Sequence, residues 1–102
     1  MSRIERSKLK EKYKTQWEMV AAVICEEDPI GLLEIGAPED EYDPEVGTIL
    51  PRIKEASSVE ELCKIVHSEF VHWFGQPTAG PLSAYSGIAK EIWHKYHAKK
   101  SI

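Results

Sequence analysis

Two cysteines among 102 residues cannot staple a scaffold, so a disulfide-built secreted fold is excluded. Long apolar runs are also missing. The longest, Met19–Cys25, has seven residues, against the roughly 20 that a membrane-spanning helix needs. The N-terminal Met1-Ser2-Arg3-Ile4-Glu5-Arg6 has basic residues with no apolar stretch behind them, so a secretory signal is not expected. Positive charge is in deficit: 13 Lys and Arg stand against 17 Asp and Glu, net −4, which argues against general binding to a phosphate backbone. No segment alternates with period two, and neither an internal repeat nor a low-complexity tract is present. What remains is one soluble domain, expected to be cytoplasmic and bacterial, spanning residues 1–102 with residues 1–6 frayed.

What is present is helical spacing. Leu9, Tyr13, Trp17, Val20 and Ile24 recur in steps of three and four, predicting one helix of roughly five turns that ends near Asp28-Pro29. Asp43-Pro44-Glu45 has the form of a helix start, with Asp43 as N-cap, Pro44 at N1 and Glu45 facing the positive dipole end. Val46, Ile49, Leu50 and Ile53 follow as a buried stripe, which Pro51 should kink or end. Ser58 and Glu61 form a capping box. The helix behind them carries Val59, Leu62, Cys63, Val66, Phe70, Trp73 and Phe74 on one face and ends at Gly75. After the turn-rich Gly75–Pro81, a last helix starts near Leu82 and buries Tyr85, Ile88, Ala89, Ile92 and Tyr96, with Lys95, Lys99 and Lys100 suiting its negative end.

The fold class read from this pattern is all-α, a small four-helix antiparallel bundle with a long acidic loop between the first and second helices. The stretch Pro29–Tyr42 is long for a helix connection, and Ile30, Leu32, Leu33 and Ile35 should fold it back onto the bundle.

Several arrangements invite a chemical reading. Glu69/His72 and Glu91/His94 repeat the Glu-x-x-His spacing of di-iron carboxylate bundles. At about 100° per residue, however, His72 and His94 point roughly 140° and 170° away from their helices' apolar faces, towards solvent. Cys63 and His67 are an i, i+4 pair without the further ligands of a metal site, so they read as core and boundary. Gly75–Gly80 has the glycine spacing of a phosphate loop, but Pro81 and Leu82 stand where Lys and Ser or Thr belong. Ser7-Lys8-Leu9-Lys10 satisfies Ser-x-x-Lys but lacks that motif's companions. The carboxylates of residues 39–45 do not match a calcium loop, and helix capping accounts for Asp43 and Glu45 more simply. Tyr42 is expected half buried with its hydroxyl on a polar partner. No cofactor, metal ligand or catalytic residue is assigned.

Asp28-Pro29-Ile30-Gly31-Leu32 followed by Ala37-Pro38-Glu39-Asp40-Glu41-Tyr42-Asp43 resembles the DPIGL…P-x-DEYD signature of an uncharacterised family of short bacterial proteins. The likeness extends over roughly residues 15–75. It continues through an Ile/Leu-rich second helix and a Ser-Val-Glu-Glu-Leu helix start, and it departs from the family at Pro51 and at Gly75–Pro81. It implies a small all-helical fold and supplies no established activity, the family being a domain of unknown function.

The functional expectation is a non-enzymatic interaction or accessory module. It would dock an unknown protein partner through the acidic loop 28–45, with Asp28, Glu39, Asp40, Glu41, Tyr42 and Asp43 as candidate partner-binding residues. The alternatives are a small metal-dependent enzyme using the loop carboxylates, or a homodimer with Trp93 at its interface. Charge is also segregated: residues 1–17 carry +4, residues 18–69 carry −11 and residues 70–102 carry +3. In an up-down bundle this would put a basic and an acidic end at opposite poles and favour an oriented partner or head-to-tail association.

Overall fold

The computed structural model describes residues 3–98. Met1, Ser2, Lys99 and Lys100 therefore lie outside the described residues. Arg3–Arg6, expected to fray, are the first turn of a helix.

The four-helix bundle is corrected to a more broken all-α architecture. Among the described residues there are six α-helices: α1 (Arg3–Lys12), α2 (Lys14–Glu27), α3 (Asp43–Ile49), α4 (Val59–Phe74), α5 (Gln76–Ala79) and α6 (Ser86–Ala98). Three 3-10 turns accompany them, Glu39–Tyr42 and Leu50–Glu55 on either side of α3 and Leu82–Tyr85 before α6. α4 packs on α6 and α3, α2 packs on α6 and α3, and α1 lies across α3. The buried side chains form one cluster, led by Trp17, Tyr42, Phe70 and Tyr85.

Each departure has a local cause. The expected first helix divides at Tyr13, whose φ of −116° and ψ of 40° leave the helical region. The i to i−4 bonds nevertheless continue through it, from Tyr13 N–H to Leu9 at 3.0 Å and from Trp17 N–H to Tyr13 at 2.8 Å. The result is a bend that lays α1 on the start of α3. Pro51 ends α3 rather than kinking it. With no N–H to reach the Gly47 carbonyl, the chain tightens at Leu50 into the 3-10 turn. Asp43 is not an N-cap, because the 3-10 turn Glu39–Tyr42 runs straight into α3 and Asp43 already has helical angles, φ −54° and ψ −40°.

α4 keeps its expected limits. Ser58 Oγ accepts the Glu61 N–H at 3.2 Å, and Glu61 Oε1 reaches back to the Ser57 N–H at 2.6 Å, one residue beyond the usual partner. Gly75 ends the helix at φ 80°, where a side chain would be strained. Ser58→Ala should therefore cost about 1 kcal/mol, read as a lower urea midpoint with unchanged slope. Trp73, expected in the core face, stands 37% exposed and donates Nε1–H to Thr48 Oγ1 at 3.1 Å, while Ile65 takes a buried place.

Candidate functional site

The loop after α2 is built around Asp28. Its backbone adopts the left-handed conformation (φ 46°, ψ 58°) that Asp tolerates better than most residues, and its N–H closes α2 on the Ile24 carbonyl at 2.7 Å. Its carboxylate then gathers the following turn. Oδ1 accepts the Leu33 N–H at 3.1 Å, and Oδ2 accepts the Glu34 N–H at 3.0 Å. The Tyr42 hydroxyl, fourteen residues away, donates to Oδ1 at 2.6 Å and accepts the Ile30 N–H at 3.2 Å.

Burial pushes the Asp28 pKa up. The donations from Tyr42, Leu33, Glu34 and Leu32 together outweigh that and hold it below the ordinary value. Burial, then the bond to Asp28, push the Tyr42 phenol well above its ordinary value. Tyr42 is fully buried, not half buried, at 1% exposure, and Asp28 is its polar partner. Ile30, Leu32 and Leu33 fold back onto the core, whereas Ile35 is left 81% exposed at the turn.

Downstream of this clamp lies a charged cleft of about 380 Å³ between α1 and the start of α3. Arg6, Ser7 and Lys10 line one wall, and Asp40, Glu41 and Asp43 the other. Lys10 Nζ meets Asp43 Oδ2 at 3.0 Å and lies 5.7 Å from the centre of the Trp17 ring. The expected separation of basic and acidic poles is therefore overturned here, because the bend at Tyr13 folds the basic α1 onto the acidic segment. Asp40 and Glu41 are exposed, and the Glu39 side chain lies outside the described residues.

Against family models, curated proteins and solved structures, the chain finds no match.

Sequence reasoning also misplaced Glu45. Instead of facing solvent at a dipole end it is 2% exposed, and its Oε2 has no hydrogen-bond partner. Burial is the main reason its pKa rises to about 7. The neighbouring Glu41 and Asp43 add to the rise, while Arg6 and its own backbone oppose it. A signal was available: Glu45 stands four residues before Ile49, on the face that Ile49 buries. Tyr42, Asp28 and Asp43 belong to structure-bearing contacts, so of the candidate residues whose side chains are described, the ones exposed to a partner are Asp40 and Glu41.

The other candidate chemistries dissolve into structural roles. His72 and His94 are exposed, and the glutamates of their motifs pair with cations, Glu69 with Arg52 at 2.6 Å and Glu91 with Lys95 at 3.8 Å. Among the described residues no three His, Cys, Asp or Glu side chains come together as a metal site would need. Cys63 and His67 both hold the connection to α6. The Cys63 thiol, its pKa raised by burial, donates to the Leu82 carbonyl at 3.6 Å, and His67 Nε2 meets the Gly80 carbonyl at 2.9 Å. Tyr85 adds a bond from its hydroxyl to the Ala79 carbonyl at 2.5 Å, so Gly75–Gly80 is a turn tied down through the carbonyls of Gly75, Gln76, Ala79 and Gly80. Trp93 packs partly into the core and lies against His97, ring centres 4.1 Å apart.

Proposed function

We propose that the protein is a non-enzymatic interaction module, acting in the bacterial cytoplasm, that docks a protein partner through the segment 28–45. The observation that carries this reading is the Asp28–Tyr42 clamp. It holds a long connection in one shape while leaving Ile35 at 81% exposure and Asp40 and Glu41 in solvent. A loop ordered in advance loses little entropy on binding, and an exposed apolar residue beside carboxylates suits a partner with an apolar pocket rimmed by basic groups. The likeness of Asp28–Leu32 and Pro38–Asp43 to the family of short bacterial proteins belongs to the same proposal: Asp28 and Tyr42, one from each half of the signature, are the two ends of the clamp.

The test compares proteins recovered from cells by the wild type, by Ile35→Asp and by the pair Asp40→Ala with Glu41→Ala. All three should melt within a few degrees of one another, because the altered side chains are exposed. A specific partner should be retained by the wild type and lost from both variants. Equal recovery by all three, or no specific partner for the wild type, rejects the reading.

A further inference from the structure

Two buried side-chain atoms among the described residues lack a hydrogen-bond partner, Trp17 Nε1 and Glu45 Oε2. Both are linked to the same short helix. Lys10 of α1 lies over the Trp17 ring, and Arg6, one turn earlier on α1, is the cation that acts on the Glu45 carboxyl. α1 itself is weakly anchored. From Ile4 to Lys12 only Arg6 and Leu9 are even half-buried, Ile4 is 69% exposed, and the Lys10–Asp43 pair is open to solvent. At its far end the backbone leaves helical geometry at Tyr13.

We propose that α1 is a strap hinged at Tyr13, which stays closed while the Glu45 carboxyl of α3, the helix it packs against, is protonated and swings away when that carboxyl ionises. The inference stands apart from the docking reading.

The physical reason is the contrast between Glu45 and its surroundings. A neutral carboxyl tolerates a dry site, whereas a carboxylate needs water or a full set of donors, and Oε2 has none. The charged groups acting on it are Arg6 from α1, Glu41 from the 3-10 turn and Asp43 from its own helix. Of the elements packed on α3, α2 buries Trp17, Val20, Val23 and Ile24 and sets Glu18 beside Lys10, Asp40 and Asp43, and the following turn buries Leu50 and Ile53. α4 buries Leu62, Ile65, Val66 and Phe70, together with Cys63, whose thiol is turned to the Leu82 carbonyl. With Lys10 paired to Asp43 and Arg6 set against Glu41, the dry site rather than the surrounding charge is the main obstacle to ionisation. Opening the strap is the cheapest way to hydrate it, because α1 buries so little. No histidine lies in α1, in α3 or in the turns flanking α3, so no other ordinary titration near neutrality competes at this junction.

Amide hydrogen exchange of the whole chain tests the strap, with rates corrected for the intrinsic pH dependence of exchange. Protection over residues 3–12 should fall roughly tenfold between pH 6 and pH 8 while protection in α4 holds. Glu45→Gln should remove the pH response, and Arg6→Ala should move its midpoint to higher pH by taking away the cation that favours ionisation. A uniform loss across α1 and α4, or an undiminished response in Glu45→Gln, overturns the proposal. If the glutamine variant does not fold, an Arg6→Ala midpoint that stays or moves down does the same.

Discussion

Replacing Glu45 by glutamine is expected to stabilise the protein by about 3 kcal/mol at pH 8 and by less than about 1 kcal/mol at pH 5. The sign follows from the direction of the shift. Glu45 titrates at about 7 in the folded chain against an ordinary 4.5, so the folded state holds its proton more tightly than the unfolded state does. Stability from this group is complete below the unfolded value, declines as the pH rises and is lost once it passes the folded value. Glutamine mimics the protonated form at every pH and escapes the decline. Urea denaturation of both proteins at pH 5 and pH 8 checks it. Equal gains at the two pH values would show that shape, not charge, decides the matter. If α1 releases before the whole chain unfolds, the wild type recovers part of the penalty and the gain at pH 8 falls towards 2 kcal/mol, accompanied by the exchange signature in residues 3–12.

The way Glu45 was missed shows where sequence reasoning stops. α4 was readable from residue 58 to residue 75 because its signals are local: a cap, a reciprocal glutamate, an unbroken apolar face and a glycine whose φ is positive. Pro51 was readable for the same reason, since a missing N–H acts on its own helix. Tyr13 carries no such mark. The bend there serves a contact between α1 and α3, elements separated by some thirty residues, and no neighbour of Tyr13 announces it. Once α1 is misplaced, so is the charge map, and the basic stretch is assigned to the pole opposite the one where it lies. Asp43-Pro44-Glu45 misled in a different way. The pattern satisfies every rule for a helix start, yet the preceding 3-10 turn had already begun the helical path. Asp43 was then free to pair with Lys10, and Glu45 was turned inward. The acidic segment stands out in the sequence by its length and charge. That Asp28 and Tyr42 hold it together depends on a bond spanning fourteen residues, which no spacing rule contains.

That bond supports the second large effect. Tyr42→Phe should cost about 1–2 kcal/mol, because it removes a buried donor to a charged, part-buried acceptor and takes the partner from the Ile30 N–H. Asp28→Ala should cost more, about 3–4 kcal/mol. It leaves the buried Tyr42 hydroxyl without its acceptor, frees the Leu33 and Glu34 N–H groups, and puts alanine at φ 46°, a strain of roughly 1–2 kcal/mol that Asp tolerates better. Because both substitutions break the same contact, the double variant should be less destabilised than the sum of the two, by about 1–2 kcal/mol in a thermodynamic cycle. Additive costs would mean that the two side chains act separately. Asp28→Asn keeps the left-handed backbone and one acceptor but cannot ionise and sets an NH2 against the Glu34 N–H, so its absolute cost mixes the two effects and only the slope of stability with pH reports the charge. The Asp28 pKa is lowered on folding, so its contribution is present above the unfolded carboxylate range and is lost as the pH falls through the folded value. The asparagine variant should therefore lose less stability in acid than the wild type, just as Glu45→Gln loses less towards alkaline pH. Urea midpoints across the pH range would then show two opposed limbs, each flattened by its own single substitution. A wild type with only one limb would leave one of these two carboxyl environments wrongly described.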